Sequence, residues 1–187
     1  MDWTTFPANL PEPTDDGLAD HLPNSPVPDI FLTSTAAGEK VNLLTLSRQQ
    51  PVLLFIYPLT GVPGKPNPEG WDNIPGARGC TPELCSVRDS MSLFQELRRG
   101  ISIFGLSTQS TSYQSQVASR LHFPYAILSD AGLEFTNGLS LPTFEVDGSV
   151  LLKRITLLLD KGLVVKVDYP IFPSDQAAKR AADLIRV

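Results

Sequence analysis

Two thiols stand five residues apart in the stretch Pro75-Gly76-Ala77-Arg78-Gly79-Cys80-Thr81-Pro82-Glu83-Leu84-Cys85-Ser86-Val87-Arg88-Asp89, and they are the only cysteines in the chain. The residues around them read as a helix start. Thr81 is a good N-cap, because its hydroxyl can accept from an early backbone N–H. Pro82 then falls at the first helical position, where a missing N–H costs nothing. Glu83 puts a negative charge in the first turn, which the helix dipole favours. Cys80 thus sits at or just before a helix N-terminus, with Arg78 two residues back. Positive potential at that place favours the thiolate, the nucleophilic form of the side chain.

Cys85 lies about one turn further on. In a regular helix, residues five apart have Cα atoms roughly 8–9 Å apart and point about 140° away from each other. A disulfide prefers Cα atoms about 5.5–6 Å apart. A bond between the two sulfurs therefore requires the first turn to loosen. Such a bond suits a catalytic cycle better than a permanent staple. Two buried small residues, a structural disulfide and a metal site are the competing readings. A metal site needs three or four ligands, and neither His21 nor His122 is spaced for one.

The motif Gly-Cys-Thr-x-x-x-Cys followed by Arg88-Asp89 resembles the active-site helix of the peroxiredoxins, specifically the Q-type (bacterioferritin comigratory protein-like) group. Pro51-Val52-Leu53-Leu54-Phe55-Ile56-Tyr57-Pro58 resembles that family's strand ending in Tyr-Pro. Arg154-Ile155-Thr156 through Asp160 resembles its Arg-x-Thr-x-x-x-Asp strand. The resemblance runs from about Pro26 to the C-terminus. It implies a peroxidatic Cys80, a resolving Cys85 that forms an intramolecular disulfide with it, and an active-site Arg154. The substrates implied are hydrogen peroxide and organic hydroperoxides. The implied reductant is a thioredoxin- or glutaredoxin-like protein. No metal, haem or flavin is implied.

The active-site loop departs from the pattern. Ala77 replaces the family threonine, and Asn73 stands where its proline would be. Residues 59–79 form a long insertion rich in Gly and Pro. Pro58 keeps the proline's role from across the insertion, and Thr60 is the candidate for the missing hydroxyl; both are assigned to the peroxide pocket. Trp71 either packs the insertion down or walls the site. Arg88 is a supporting residue or a partner for Asp89. Pro142, before Thr143 and Phe144, invites comparison with the thioredoxin loop that faces a reactive disulfide, but four residues separate these cysteines rather than two, so Pro142 is read as structural.

The remaining elements must position these groups. Val52 to Tyr57 is a continuous apolar run, as expected of a strand buried on both faces. A helix is expected from Pro82 to about Arg99, with Leu84, Val87, Met91, Phe94 and Leu97 on its buried face. Gly100 ends it. Strands are expected at residues 101–107 and 125–128, and helices at 110–121 and 130–138. Residues 30–32 and 40–43 form a hairpin. Residues 144–146 and 151–159 flank an Asp147-Gly148 turn, and 163–169 pairs with the second of these. Ser174 caps a C-terminal helix ending at Val187. This order implies an α/β sandwich with a central mixed β-sheet flanked by helices, in agreement with the thioredoxin-like fold that the resemblance implies.

The chain has 187 residues, 42% apolar content and a formal net charge of −5. These values fit one globular domain. Residues 1–28, rich in Pro and acidic side chains, are read as an extended N-terminal arm, and residues 29–187 as the single domain. The acidic balance argues against nucleic acid and anionic membranes as partners. No apolar run is long enough to span a bilayer, and residues 1–7 show no secretory signal. A cytoplasmic monomer or weak homodimer is expected. The function expected is thiol-dependent peroxidase. The alternatives are a thioredoxin-fold redox sensor or disulfide-exchange protein without peroxidase turnover, and a non-catalytic binding module.

Overall fold

The computed structural model describes residues 9–36 and 38–186. Residues 1–7 with the signal-peptide reading, Ala37 of the first hairpin turn and Val187 lie outside these. Strand β1 (Phe31–Ser34) and β2 (Lys40–Asn42) make the expected hairpin. Helix α1 (Leu43–Gln49) follows directly, capped by Asn42, whose side chain accepts from the Thr45 amide at 2.9 Å. This short helix was not anticipated, because seven residues are too few to display a helical period. Strand β3 (Val52–Ile56) leads into the insertion, where Trp71–Asn73 form a 3-10 turn.

Helix α2 (Cys80–Asp89) and helix α3 (Met91–Leu97) replace the single helix expected from Pro82 to Arg99. The break falls at Ser90, whose backbone leaves the helical region and whose amide bonds back to Val87 O at 3.1 Å. Strand β4 (Ser102–Ser107), helix α4 (Thr111–Arg120) and strand β5 (Ala126–Ser129) fall within a residue of expectation, while helix α5 (Glu134–Leu139) begins four residues later than expected. The long strand expected at 151–159 is two strands. Strand β7 (Ser149–Leu152) pairs with β6 (Thr143–Val146) in a separate two-stranded sheet, and strand β8 (Ile155–Asp160) enters the central sheet beside β9 (Leu163–Asp168). The change of sheet occurs at Lys153 and Arg154. A 3-10 turn (Ser174–Gln176) precedes helix α6 (Ala177–Ile185), so Ser174 is not the cap of that helix.

The central sheet has seven strands in the order β2-β1-β5-β4-β3-β8-β9. The pairs β3–β4 and β4–β5 are parallel, and the others antiparallel. Every residue of β3 is buried, and alternate side chains feed two separate cores. Val52, Leu54 and Ile56 face one layer with Leu106, Leu128, Leu157, Phe135 and Leu139. Leu53, Phe55 and Tyr57 face the other with Cys80, Leu84, Val87, Phe94 and the alanines of α6. Described residues of the N-terminal segment belong to the first layer: Ala19, Leu22 and Val27 are buried there, and the Val27 amide donates to Gly162 O at 2.9 Å. Among the described residues, no helix is long and apolar enough to cross a membrane.

Candidate active site

Cys80 is the first residue of α2 and is 3% exposed. The N-cap is Gly79, not Thr81 as the sequence reading expected. Gly79 takes φ +102°, a conformation that a residue with a Cβ rarely adopts. It carries no side chain to cap the first turn. That places the sulfur at the open N-terminal end of the helix, where partial positive charge is concentrated.

Three separate segments meet the Cys80 sulfur. Arg154 Nη2 donates to Sγ at 3.3 Å. The Leu59 amide, next after Pro58, donates to Sγ at 3.4 Å. The thiol itself reaches Ala77 O at 3.6 Å. Two donors from separate segments thus converge on one sulfur.

Arg154 is held through its two terminal nitrogens. The change of sheet between β7 and β8 aims its side chain inward, where it is 3% exposed. The carbonyls of Gly76 (3.2 Å), Ala77 (3.3 Å) and Arg78 (3.2 Å) also lie within hydrogen-bond reach of Nη2 and share its two hydrogens with the sulfur. Nη1 forms an ion pair with Glu83 Oε2, and the Glu83 side chain is fully buried. A planar guanidinium suits this task because its donors diverge in a fixed plane. Glu83 was read from the sequence only as a first-turn acid favouring the helix dipole. Its spacing of three residues from Cys80, on the same turn, is the signal that marks it as part of the site.

The insertion is packed, not loose. Trp71 is buried, with its ring 6.1 Å from that of Phe144, in a cluster with Ala77 and Leu151. Arg78 pairs with Asp72 at 2.7 Å. Thr60 is buried, and its hydroxyl and amide donate to Gln109 Oε1 at 3.0 and 2.9 Å. Gln109 Nε2 returns a bond to Thr60 O at 3.1 Å, and the Tyr113 hydroxyl reaches the Thr60 and Gly61 carbonyls at 3.0 and 2.7 Å. The group of this segment that meets the sulfur is therefore the Leu59 amide, while the Thr60 hydroxyl turns to Gln109. Sequence reading gave no hint of Gln109 or Tyr113.

Cys85 is half-buried on the next turn of α2, and both cysteines are free thiols. Burial pushes the Cys85 thiol up from its ordinary value; Arg88 opposes this and Asp89 adds to it. Arg88 bonds Asp89 through Nε (2.7 Å) and Leu121 O through Nη1 (2.9 Å), which ties the end of α2 to the chain after α4. Pro142 lies at the entry to β6, and its carbonyl accepts from the Lys153 amide at 2.8 Å.

A helix-borne cysteine facing a buried arginine, on a thioredoxin-like sheet, is the layout of a thiol-dependent redox enzyme. The family model described as Redoxin matches residues 22–185. Peroxiredoxin Q, chloroplastic, of Arabidopsis thaliana is 30% identical over 139 residues, which are 74% of this chain and 55% of that protein. A Mycobacterium tuberculosis protein named as a peroxiredoxin is 30% identical over 155 residues, covering 80% of this chain and 86% of its own. The solved structure of peroxidoxin BcpB from Mycobacterium tuberculosis is 28% identical, with a TM-score of 0.69, and covers 88% of this chain and 97% of that one. The chain belongs to the Redoxin family. Within it the chain is a Q-type, Bcp-like peroxiredoxin, and its activity is that of a thiol peroxidase.

Proposed function

We propose that Cys80 is the peroxidatic cysteine, Cys85 the resolving cysteine and Arg154 the residue that holds thiolate and peroxide together. The Cys80 thiolate attacks the terminal oxygen of hydrogen peroxide or an organic hydroperoxide. An S–O bond forms and the O–O bond breaks. The sulfur loses two electrons to give a sulfenic acid, and the departing alkoxide or hydroxide takes up a proton. Arg154 Nη2 and the Leu59 amide aim at the place where this charge develops. Pro58 and Thr60 bracket that amide and shape the pocket.

Cys85 thiolate then attacks the Cys80 sulfenic sulfur. An S–S bond forms, the S–O bond breaks, and the hydroxide that leaves takes up a proton, equivalent to the one the Cys85 thiol gave up, and departs as water. A thioredoxin- or glutaredoxin-like dithiol restores both thiols by exchange. The protein acts as a monomer or weak homodimer in a reducing, cytoplasmic compartment. A static light-scattering mass reads the oligomeric part of this proposal.

One observation carries the reading most directly: a buried guanidinium 3.3 Å from a cysteine sulfur at the start of a helix. A mass measurement after one equivalent of peroxide tests it. The expected product is two hydrogens lighter than the reduced protein, with Cys80 linked to Cys85. Unchanged thiols, or oxidation first at Cys85, overturns the assignment.

A further inference from the structure

The disulfide requires the first turn of α2 to open, so whatever ties that turn down sets how fast Cys85 reaches the oxidised sulfur. Polar contacts hold α2 at several points. Beyond the first turn, the Tyr125 hydroxyl donates to Leu84 O at 2.8 Å and Arg88 reaches Leu121 O. Both can persist while residues 80–83 unwind. Besides the bonds to the Cys80 sulfur, the turn itself is held by the ion pair of Glu83 with Arg154, the Glu83 amide on Gly79 O at 3.0 Å, and the Ser174 hydroxyl on the same Gly79 oxygen at 2.9 Å. Arg154 and Glu83 belong to the peroxide-facing side. Ser174 does not. It is 1% exposed and comes from the turn that precedes α6. The buried Ala177, Ala178 and Ala181 share a core with Cys80, Leu84 and Val87, and their small side chains bring α6 close enough for Ser174 to reach the start of α2.

We propose that Ser174 is a positioning residue that restrains the first turn of α2 and so sets the partition of the Cys80 sulfenic acid between disulfide formation and overoxidation. This rests on the assignment of Cys80 and Cys85 above. In the closed turn, the sulfenic sulfur faces incoming peroxide. A second peroxide then donates an oxygen to it, breaking another O–O bond and leaving a sulfinic acid and an alcohol or water. In the open turn, Cys85 captures the sulfur first. The Gly79 carbonyl is the hinge point, because it accepts both the first hydrogen bond of the helix and the Ser174 hydroxyl. Removing the hydroxyl takes one of two donors from that oxygen. The turn then opens about fivefold more often, the size of one hydrogen bond's net contribution.

The test is the ratio of disulfide to sulfinic acid, read by mass spectrometry across a peroxide series in wild type and Ser174→Ala. The variant should shift the series so that about fivefold more peroxide gives the same sulfinic fraction. Exchange of the Glu83 amide, which bonds Gly79 O, should rise while β3 stays protected. A general loss of stability would slow attack and resolution alike and leave the ratio in place. Ser174→Thr and Ser174→Val are matched in shape and differ in the hydroxyl, so this pair isolates its effect if the alanine variant folds poorly. Threonine should behave as wild type and valine as alanine. Equal ratios in all variants, with a normal Cys80–Cys85 disulfide in wild type, overturn the role of Ser174 alone. Absence of that disulfide in wild type overturns the functional assignment and this inference with it.

Discussion

Replacing Arg154 by alanine should do two separable things. Nη2 donates to the Cys80 sulfur, and Nη1 pairs with a Glu83 side chain that has no exposure. A hydrogen bond to a charged group contributes about 1.5–3 kcal/mol. If that contribution is felt in full as the peroxide bond breaks, attack slows by about 10- to 150-fold at 1.36 kcal/mol per decade. The second effect is on stability. Removing one partner of a buried pair strands the other and costs about 3–5 kcal/mol. For a chain of this length, each kcal/mol moves the midpoint by about 2–4 °C, so the melting temperature should fall by roughly 6–20 °C. The double variant Arg154→Met with Glu83→Leu removes the stranded charge, and should recover most of the stability while attack stays slow. Single-turnover loss of the Cys80 thiol under limiting peroxide measures the first effect, and thermal unfolding the second. Wild-type attack in Arg154→Ala would refute the catalytic role. A double variant no more stable than Arg154→Ala would refute the account of Glu83.

Other outcomes follow from the same geometry. Cys80→Ser should abolish peroxide consumption with the fold intact, since a hydroxyl is a far weaker nucleophile at neutral pH; retained turnover in a steady-state assay would remove Cys80 from the mechanism. Cys85→Ser should complete the first oxidation, stall at sulfenic acid and reach sulfinic acid at lower peroxide than wild type, as read by mass. Because burial raises the Cys85 thiol, with Arg88 only partly offsetting it, the resolving thiolate is scarce at neutral pH. The rate of disulfide formation should therefore climb as pH rises from 6 to 8, and a flat profile would show that thiolate supply does not limit resolution. Amide exchange across residues 80–88 should increase on oxidation while Val52–Ile56 stays protected; equal exchange in both redox states would mean that no turn opens.

The approach of Arg154 to Cys80 was foreshadowed by the resemblance to a family's motifs; from residue types alone only Cys80, at a helix start, stood out. The sheet was legible too, since β3 and β4 are strands of strong apolar character. What escaped was contact between distant segments. Between Leu151 and Leu159 the apolar residues are interrupted by Lys153-Arg154, but a charged pair inside a strand-like run does not mark the change of sheet or say whether one sheet or two receive the residues on either side. That change of sheet is what carries Arg154 onto Glu83. The cap was misplaced for a related reason: Thr81 is the better capping residue locally, but a glycine at positive φ, with its carbonyl met by Ser174, starts the helix two residues earlier. The clamp of Gln109 and Tyr113 on Thr60 joins residues about fifty positions apart, and no local pattern encodes it.

The insertion offers a practical opening for protein engineering. It is fastened near its start by Gln109 and Tyr113 at Thr60, midway by Trp71 against Phe144, and at its end by Arg154 on the carbonyls of residues 76–78. Between the first two anchors, residues 62–66 are exposed. Extra chain spliced there lengthens a span whose two ends stay pinned, and doubling a flexible loop costs only about 0.6 kcal/mol. A fluorophore-bearing peptide or an affinity tag grafted at that tip would ride beside a redox centre without entering it.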